Sequence, residues 1–301
     1  LDSAARVCGD LGIPFHVIDL KREFKEVVIG YFRDEYLKGR TPNPCIRCNH
    51  RLKFGFLLEK ARKAGMDFDL FATGHYARVV ESGGRSVLKR SLDLSKDQSY
   101  FLYALTPEQL SRITLPLGNY RKAQVRKVAG SLGLKTAKRP ESQDFIAGGD
   151  YTPFFKSDEV RAGDIVNEQG ERLGRHRGII YYTIGQRKGL GIASPRPLYV
   201  TGIDAAENRL IVNDRQALFS KGLIAGNLNL ISVDGLDGPH GIEVKIRLQH
   251  RAARATLFPY RHKKAKVLFD EPQASVTPGQ SAVFYEGDTV LGGGIIEEAI
   301  T

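Results

Sequence analysis

The sequence lacks several features on which whole classes of protein depend. It has three cysteines and no tryptophan in 301 residues, which is too little cysteine for the disulfide framework of a small secreted domain. It contains no run of about 18 apolar residues, so no membrane-spanning helix is predicted. With no export signal visible, a reducing cytoplasm is the expected location.

Negative charge is also scarce, and it is missing from three long tracts. The chain has 45 Lys and Arg against 34 Asp and Glu. Residues 109–140, 172–203 and 244–269 contain no acid at all, while they carry eight, six and eight basic residues. Such an excess favours a polyanionic partner, and nucleic acid is the predicted one. Four aromatic residues in or beside these tracts suit base stacking, or form core strands: Tyr181, Tyr182, Phe258 and Tyr260.

The first half of the chain alternates helical and strand patterns. Helices are predicted over 3–11, 24–37, 53–63 and 121–132, and after the Thr106–Pro107 cap, with strands over 15–20 and 69–73. This alternation indicates an α/β domain over 1–150, built on a parallel sheet with helices on both faces.

The second half is β-rich and predicts small barrels. Strand patterns recur between Gly, Pro, Asn and Asp at 178–183, 198–203, 209–212, 243–247, 265–268, 281–285 and 289–292. A loop near 215–222 divides them. The predicted domains are therefore 1–150, 151–217 and 218–301.

Two of the cysteines lie in GRTPNPCIRCN (39–49). A structural zinc site needs about four ligands, and only one pair is present. A thioredoxin-like pair would open a helix directly after a strand, whereas this pair follows a proline-rich loop. Basic residues surround the thiols, and Cys48 precedes the predicted helix start, so a lowered thiol pKa and a reactive nucleophile are expected. The basic residues are Arg40, Arg47, Arg51 and Lys53.

Five stretches occur along the chain in this order: GRTPNPCIRCN, ATGHYAR (72–78), KDQSYFLY (96–103), YYTIGQRKGLGI (181–192) and VTPGQSAVFYEGDTVLGGG (276–294). Together they resemble the tRNA-specific 2-thiouridylases of the MnmA type. The resemblance implies an N-terminal α/β ATP-pyrophosphatase domain of adenosine-hydrolase-like type, a small central β-rich domain and a C-terminal β-barrel that binds tRNA.

The resemblance also implies a reaction. Wobble uridine 34 is adenylated with ATP and Mg²⁺, and sulfur from a cysteine persulfide replaces the oxygen at C2, giving 2-thiouridine. An upstream persulfide carrier supplies the sulfur, and the tRNAs are those for Lys, Glu and Gln. Two alternatives remain open: a non-catalytic tRNA-binding relative that has lost ATP binding, and an ATP-pyrophosphatase acting on a small molecule. The basic tracts argue against the second.

Site residues follow from the motifs by position. Cys48 matches the nucleophile, and Gly74 matches a backbone position at ATP. Asn43, Pro44 and Cys45 match the segment that contacts the target base. The positions that match tRNA contacts are His75, Lys96, Asp97, Gln98, Arg247, Leu248 and Gln280. The family commonly has an aromatic residue where this chain has Leu248.

Two departures from the family pattern concern the chemistry. The phosphate-binding loop SGG-x-D-S is absent and is expected upstream, because Ser82-Gly83-Gly84 has the pattern of a hairpin turn. The persulfide cysteine expected after Glu141-Ser142-Gln143-Asp144 is also missing. Three replacements remain open: Cys45 as second thiol, an iron–sulfur cluster on Cys45, Cys48 and a third ligand, or sulfide or an external persulfide acting on one thiol.

Overall fold

The computed structural model describes residues 1–134, 150–261 and 263–301. Helices dominate its first 63 residues, beginning with α1 (Asp2–Leu11). A continuous helical segment follows, made of α2 (Lys21–Glu23), a π-helical stretch (Phe24–Ile29) and α3 (Gly30–Leu37). The predicted helix over 24–37 is therefore confirmed.

The second long helical segment carries both cysteines of the C-x-x-C pair. It consists of α4 (Pro44–Arg47), a π-helical stretch (Cys48–Phe56) and α5 (Leu57–Lys63), and we call it the cysteine helix. The side chain of Asn43 accepts a hydrogen bond from the Ile46 amide (3.4 Å), and Pro44 takes the first helical position, as helix starts favour. The predicted start near residue 53 is therefore wrong, and Cys48 lies inside the helix.

The predicted strand over 15–20 is also wrong. These residues form an irregular connection, with Phe15 38% and Val17 61% exposed. No strand among the described residues pairs with them, so their backbone groups have no ladder to join. The strand predicted at 69–73 shortens to β1 (Phe71–Ala72), which pairs in parallel with β4 (Ile113–Thr114). Among the described residues, the N-terminal parallel sheet is only this pair.

Local signals in the N-terminal part were predicted more successfully. Thr106 caps α6 (Pro107–Leu110) in a capping box with Gln109, and α7 (Lys122–Ser131) follows. Strands β2 (Ala77–Ser82) and β3 (Arg85–Arg90) form a hairpin. Gly83 and Gly84 turn it with φ of 58° and 74°, a region that glycine enters without strain. The hairpin interpretation of 82–84 is therefore confirmed.

The middle part is a four-stranded sheet in the order β6-β5-β8-β7. Its strands are β5 (Gly163–Val166), β6 (Arg172–His176), β7 (Tyr199–Asp204) and β8 (Arg209–Asn213). Ile165 and Leu210 belong to a buried cluster that includes Phe32 of α3, so this sheet packs on the first long helical segment. The strand predicted at 178–183 is wrong, because Ile179–Tyr181 forms a 3₁₀ turn that buries its two isoleucines without strand pairing.

The C-terminal part is a closed barrel of six strands in the order β13-β10-β11-β12-β9-β14, with β14 pairing back to β13. Closure leaves no free edges within the barrel. The strands are β9 (Phe219–Leu230), β10 (His240–Lys245), β11 (Ala253–Tyr260), β12 (Lys264–Ala274), β13 (Ser281–Glu286) and β14 (Thr289–Ile300).

One buried cluster joins the cysteine helix to the barrel. Ile46 and Phe54 of the helix belong to the same cluster as Tyr100 and as Tyr285 of β13. The Tyr100 hydroxyl donates to the carbonyl oxygen of Ser281 at 3.0 Å. The cysteines are thus positioned by packing between the two ends of the chain. No helix in the described ranges is long and apolar enough to cross a membrane.

Candidate active site

A cleft of about 780 Å³ lies between the cysteine helix, the loop 94–101 and the segment 245–251, which begins at the end of β10. Seven of the expected site residues line it: Cys45, Cys48, His75, Lys96, Asp97, Gln98 and Leu248. Ten further residues complete the lining: Phe24, Asn49, Lys53, Leu94, Ser95, Phe101, Lys245, Gln249, His250 and Arg251. Residues distant in sequence thus form one basic cleft around two thiols.

The electrostatics of the thiols differ from the sequence-based expectation. Both cysteines are free and partly buried, and burial raises the pKa of Cys45 and of Cys48 above the ordinary thiol value. The ammonium of Lys53 lowers both pKa values but does not outweigh burial. The expected lowering of the thiol pKa is therefore wrong, because desolvation penalises the thiolate more than the nearby charge favours it.

Two other basic residues of this segment, Arg40 and Arg47, have different partners. Arg40 pairs with Glu35, with 2.7 Å between Nε and Oε2, and the Arg47 guanidinium lies 5.2 Å from the centre of the Tyr31 ring. Neither Arg40 nor Arg47 lines the cleft. Positive charge near the cysteines in sequence is therefore directed largely elsewhere in space.

Asn49, directly after Cys48, is a site residue whose importance the sequence did not indicate. It is 3% exposed, and its side-chain nitrogen donates to the Phe101 carbonyl oxygen at 3.2 Å. Its side-chain oxygen Oδ1 is buried and has no hydrogen-bond partner among the described residues. Asn49 therefore lines the cleft beside the predicted nucleophile and carries a buried acceptor that no described residue uses.

The KDQ motif is built into the loop that faces the thiols. Asp97 accepts hydrogen bonds from the Ser91 amide (2.9 Å) and the Ser99 hydroxyl (2.7 Å). Gln98 accepts from the Tyr76 amide at 2.9 Å. These bonds hold the loop in place, so Asp97 and Gln98 shape the wall of the cleft along which Lys96 lies.

His75 and Gly74 follow β1, at the carboxyl end of the parallel strand pair. The Nδ1 atom of His75 is 2.8 Å from the Thr73 hydroxyl, and burial lowers the His75 pKa to about 4. Gly74 is exposed, and a Cβ atom there would meet only Leu117 Cδ1, at 3.7 Å. Nucleotides commonly bind at this edge of α/β sheets. Because Gly74 is exposed and little stands above it, a nucleotide could approach its backbone closely.

The segment 245–251 contributes a basic wall to the cleft through Lys245 and Arg251. In the sequence, the acid-free tract 244–269 was the signal for this positive charge. Burial lowers the pKa of Lys245, and the carboxylate of Asp97 opposes this shift. The Nε2 atom of His250 lies 3.0 Å from Gln273 Oε1, and burial lowers the His250 pKa as well. Arg251 is exposed at the rim.

The remaining expected residues lie outside the cleft. Asn43 caps the cysteine helix and lines a separate cavity of about 370 Å³, and Pro44 is the first helical residue. Arg247 donates to the Ala274 carbonyl oxygen at 3.2 Å. Gln280 donates to the carbonyl oxygens of Thr41 and Pro42. The segment where the persulfide cysteine was expected, 141–148, lies outside the described residues.

Three family models match the chain in succession. They are the tRNA methyl transferase HUP domain over 1–147, the tRNA methyl transferase PRC-barrel domain over 156–214 and the aminomethyltransferase beta-barrel domain over 220–296. A protein of Acetivibrio thermocellus named tRNA-specific 2-thiouridylase MnmA is 48% identical, over 99% of this chain and 84% of its own length. The chain belongs to the tRNA-specific 2-thiouridylase MnmA family.

Other relatives carry the same name. The Clostridioides difficile protein is 45% identical over 100% of this chain and 84% of its own length, and the Clostridium acetobutylicum protein is 44% identical over 99% and 84%. The family is one of tRNA-modifying transferases. The resemblance inferred from the five motifs is thereby confirmed, as is the expected order of an α/β domain, a β-rich middle domain and a C-terminal barrel.

Membership in the MnmA family raises the question of which cofactors the site fits. A HUP domain is consistent with ATP binding, and the open backbone at Gly74 fits one part of such a site. An iron–sulfur cluster fits less well. In residues 1–134, 150–261 and 263–301, no three His, Cys, Asp or Glu side chains converge in a way that could hold a metal, so the described residues offer no third ligand beside Cys45 and Cys48.

Proposed function

We propose that the protein transfers sulfur to C2 of wobble uridine 34 in tRNA and so produces 2-thiouridine, in an ATP-dependent reaction in the cytoplasm. The observation that carries this proposal is the cleft in which Cys45 and Cys48 face Lys53, Lys96 and Lys245. A tRNA sulfurtransferase needs both parts of this arrangement, a thiol to carry sulfur and positive charge to attract phosphates.

The walls of the cleft suit an unpaired nucleotide. Lys96 on one wall and Lys245 and Arg251 on the other supply positive charge for the phosphates on either side of the base. Phe24 and Phe101 offer aromatic surface on which a base can stack. We expect the substrates to be the tRNAs for Lys, Glu and Gln.

ATP, with Mg²⁺, would supply one chemical change, the conversion of the uridine O2 into a leaving group by adenylation. The backbone at Gly74 would lie along the nucleotide. The task of the cleft is then to hold C2 of the base near Cys48 and to exclude competing water from it.

The sulfur step assigns a role to each thiol. Cys48 would carry the persulfide Sγ–SH, supplied by an upstream carrier. Its terminal sulfur loses its proton and bonds to C2 as the C2–O bond breaks. The Cys45 thiolate then attacks Cys48 Sγ, so the Sγ–S bond breaks and its electron pair stays with the sulfur on C2. A Cys45–Cys48 disulfide remains, and a thiol reductant must reduce it before the next cycle.

The test is mass spectrometry of nucleosides from tRNA incubated with the full-length protein, ATP and a persulfide donor. We expect 2-thiouridine with the native protein and with Cys8→Ser, which changes the cysteine of α1 that lies outside the cleft. Cys48→Ser should abolish the product. Unchanged product in Cys48→Ser would show that Cys48 is not the nucleophile.

A Cys45→Ser variant separates the sulfur routes. If Cys45 resolves the persulfide, the variant makes at most one product per protein with a persulfide donor and recovers turnover with free sulfide. Full activity with both donors would exclude Cys45 as second thiol and as cluster ligand. If the native protein makes no product but binds tRNA with steep salt dependence, it is a non-catalytic tRNA-binding relative.

A further inference from the structure

The connection between the two long helical segments, residues 38–43, is held by all three parts of the protein. Arg40 pairs with Glu35 of α3. The hydroxyls of Thr41 and of Thr183, in the middle part, lie 2.5 Å apart. The barrel part contacts it through Pro278, Gly279 and Gln280 of the TPGQ sequence before β13.

The side-chain amide nitrogen of Gln280 bonds to this connection. Its Nε2 donates to the carbonyl oxygens of Thr41 (3.0 Å) and Pro42 (3.3 Å). The Pro278 carbonyl oxygen in turn accepts from the Thr41 amide at 2.9 Å. An amide group has two N–H donors, so both are occupied by protein carbonyl groups.

The neighbouring glycine brings the two backbones into direct contact. A Cβ atom at Gly279 would lie 2.8 to 3.0 Å from three backbone atoms of Thr41, and its φ is +92°. Only glycine fits this approach without displacing the connection. TPGQ and residues 41–42 are thus matched in shape as well as in hydrogen bonding.

This contact lies immediately before the cysteine helix. Proline fixes φ at positions 42 and 44 and restricts the backbone of the residues before them. Because this backbone has little freedom, a shift of Thr41 also moves Asn43, which caps the helix. Cys45 is in the first turn after that cap. The barrel therefore positions the start of the helix that carries the two cysteines, although TPGQ itself does not line the cleft.

We propose that Gln280 is a positioning residue for the sulfur transfer, acting through residues 41–43 on the cysteine helix. The inference rests on the proposed function for its effect on thiolation, but its effect on the cysteines themselves does not. Losing the two donors should let the helix start shift, and misplacement of about 1 Å lowers rates by roughly 100-fold in well-oriented sites.

The test uses the full-length protein with Gln280→Met, which keeps the length of the side chain and removes both donors. We expect kcat for thiolation to fall tenfold or more while the KM for tRNA changes less than twofold. Without tRNA or ATP, the rate at which iodoacetamide alkylates Cys45 and Cys48 should change at least threefold. Gln169→Met, on an exposed turn of the middle part, is the matched control and should change neither rate.

A contact of Gln280 with tRNA would give the opposite result, a raised KM with unchanged alkylation, and would overturn the proposal. Thr183→Val is a second and nearly isosteric variant, which removes a different contact of Thr41. It should change alkylation in the same direction by a smaller factor. If both variants leave the alkylation rates of Cys45 and Cys48 unchanged, the proposal is wrong, even if the protein proves inactive in thiolation.

Discussion

The barrel and the helical N-terminal part stabilise their structures in different ways. The barrel closes six strands on one another and buries residues such as Leu257, Val267 and Phe284 completely. Among the described residues, the N-terminal part has one parallel pair of two-residue strands, and Val17 and Leu70 are more than half exposed. The two thiols of the cleft belong to the less self-contained part. The comparison indicates that the geometry of the site depends on contacts made by the barrel.

Truncation of a core side chain should reveal this difference most strongly. Phe284→Ala removes a fully buried ring from the barrel core and should cost about 3–5 kcal/mol of unfolding free energy. Val17→Ala, in the irregular connection after α1, should cost less than about 0.5 kcal/mol. Urea denaturation followed by circular dichroism measures both. Equal losses would show that the two parts do not differ as described.

Acid should destabilise the N-terminal part through His75. Its pKa is about 4 in the folded protein because of burial, so the unfolded chain binds the proton first as the pH falls through about 6.5. Stability from the neutral imidazole is present at pH 7 and is lost towards pH 4. Between pH 7 and pH 5, linkage predicts a loss of about 2 kcal/mol from this group.

The matched variant for this pH effect is His75→Gln, which cannot titrate. Urea midpoints at pH 7 and pH 5 should differ less in the variant than in the native protein. An unchanged difference would assign the acid sensitivity to other groups.

The smallest expected effect concerns the charge beside the thiols. Lys53 lowers the pKa of both cysteines in the cleft, so Lys53→Met should raise those values and reduce the thiolate population. We expect alkylation of Cys48 at pH 8 to slow severalfold, because the thiolate is the form that reacts. Peptide mass spectrometry measures the rate.

The control for Lys53 is Lys63→Met, in the same helix. Lys63 is exposed and pairs with Glu59, so its loss should leave the Cys48 rate within twofold. A similar slowing in both variants would indicate a general charge effect instead of the local one.

Features that depend on neighbours in sequence could be predicted from the sequence. Thr106, Pro107 and Gln109 form the expected capping box because all three act within one helical turn. The Gly83–Gly84 turn has the same origin. In contrast, the strand predicted over 15–20 failed because a strand needs a partner, and an apolar run cannot show whether one lies beside it.

The sequence predicted which residues form the candidate site better than it predicted their hydrogen bonding and ionisation. The motifs identified Cys45, Cys48, His75 and Lys96, which the cleft brings together. They did not indicate Asn49, whose side-chain nitrogen donates to the Phe101 carbonyl oxygen while its buried Oδ1 has no hydrogen-bond partner among the described residues. The basic residues around the thiols and the nearby helix start predicted a lowered thiol pKa. That prediction was wrong because burial, which raises the pKa of both thiols, could not be estimated from the sequence.

By itself, the sequence determined the family, the order of the domains and the two cysteines that line the cleft, because long motifs in a fixed order carry that information locally. Only the tertiary structure decided how those thiols are held and how they ionise. Gln280 lies 239 residues from Thr41 in the chain and yet hydrogen-bonds to it. Desolvation and long-range contacts are properties of the folded arrangement, so no local pattern records them.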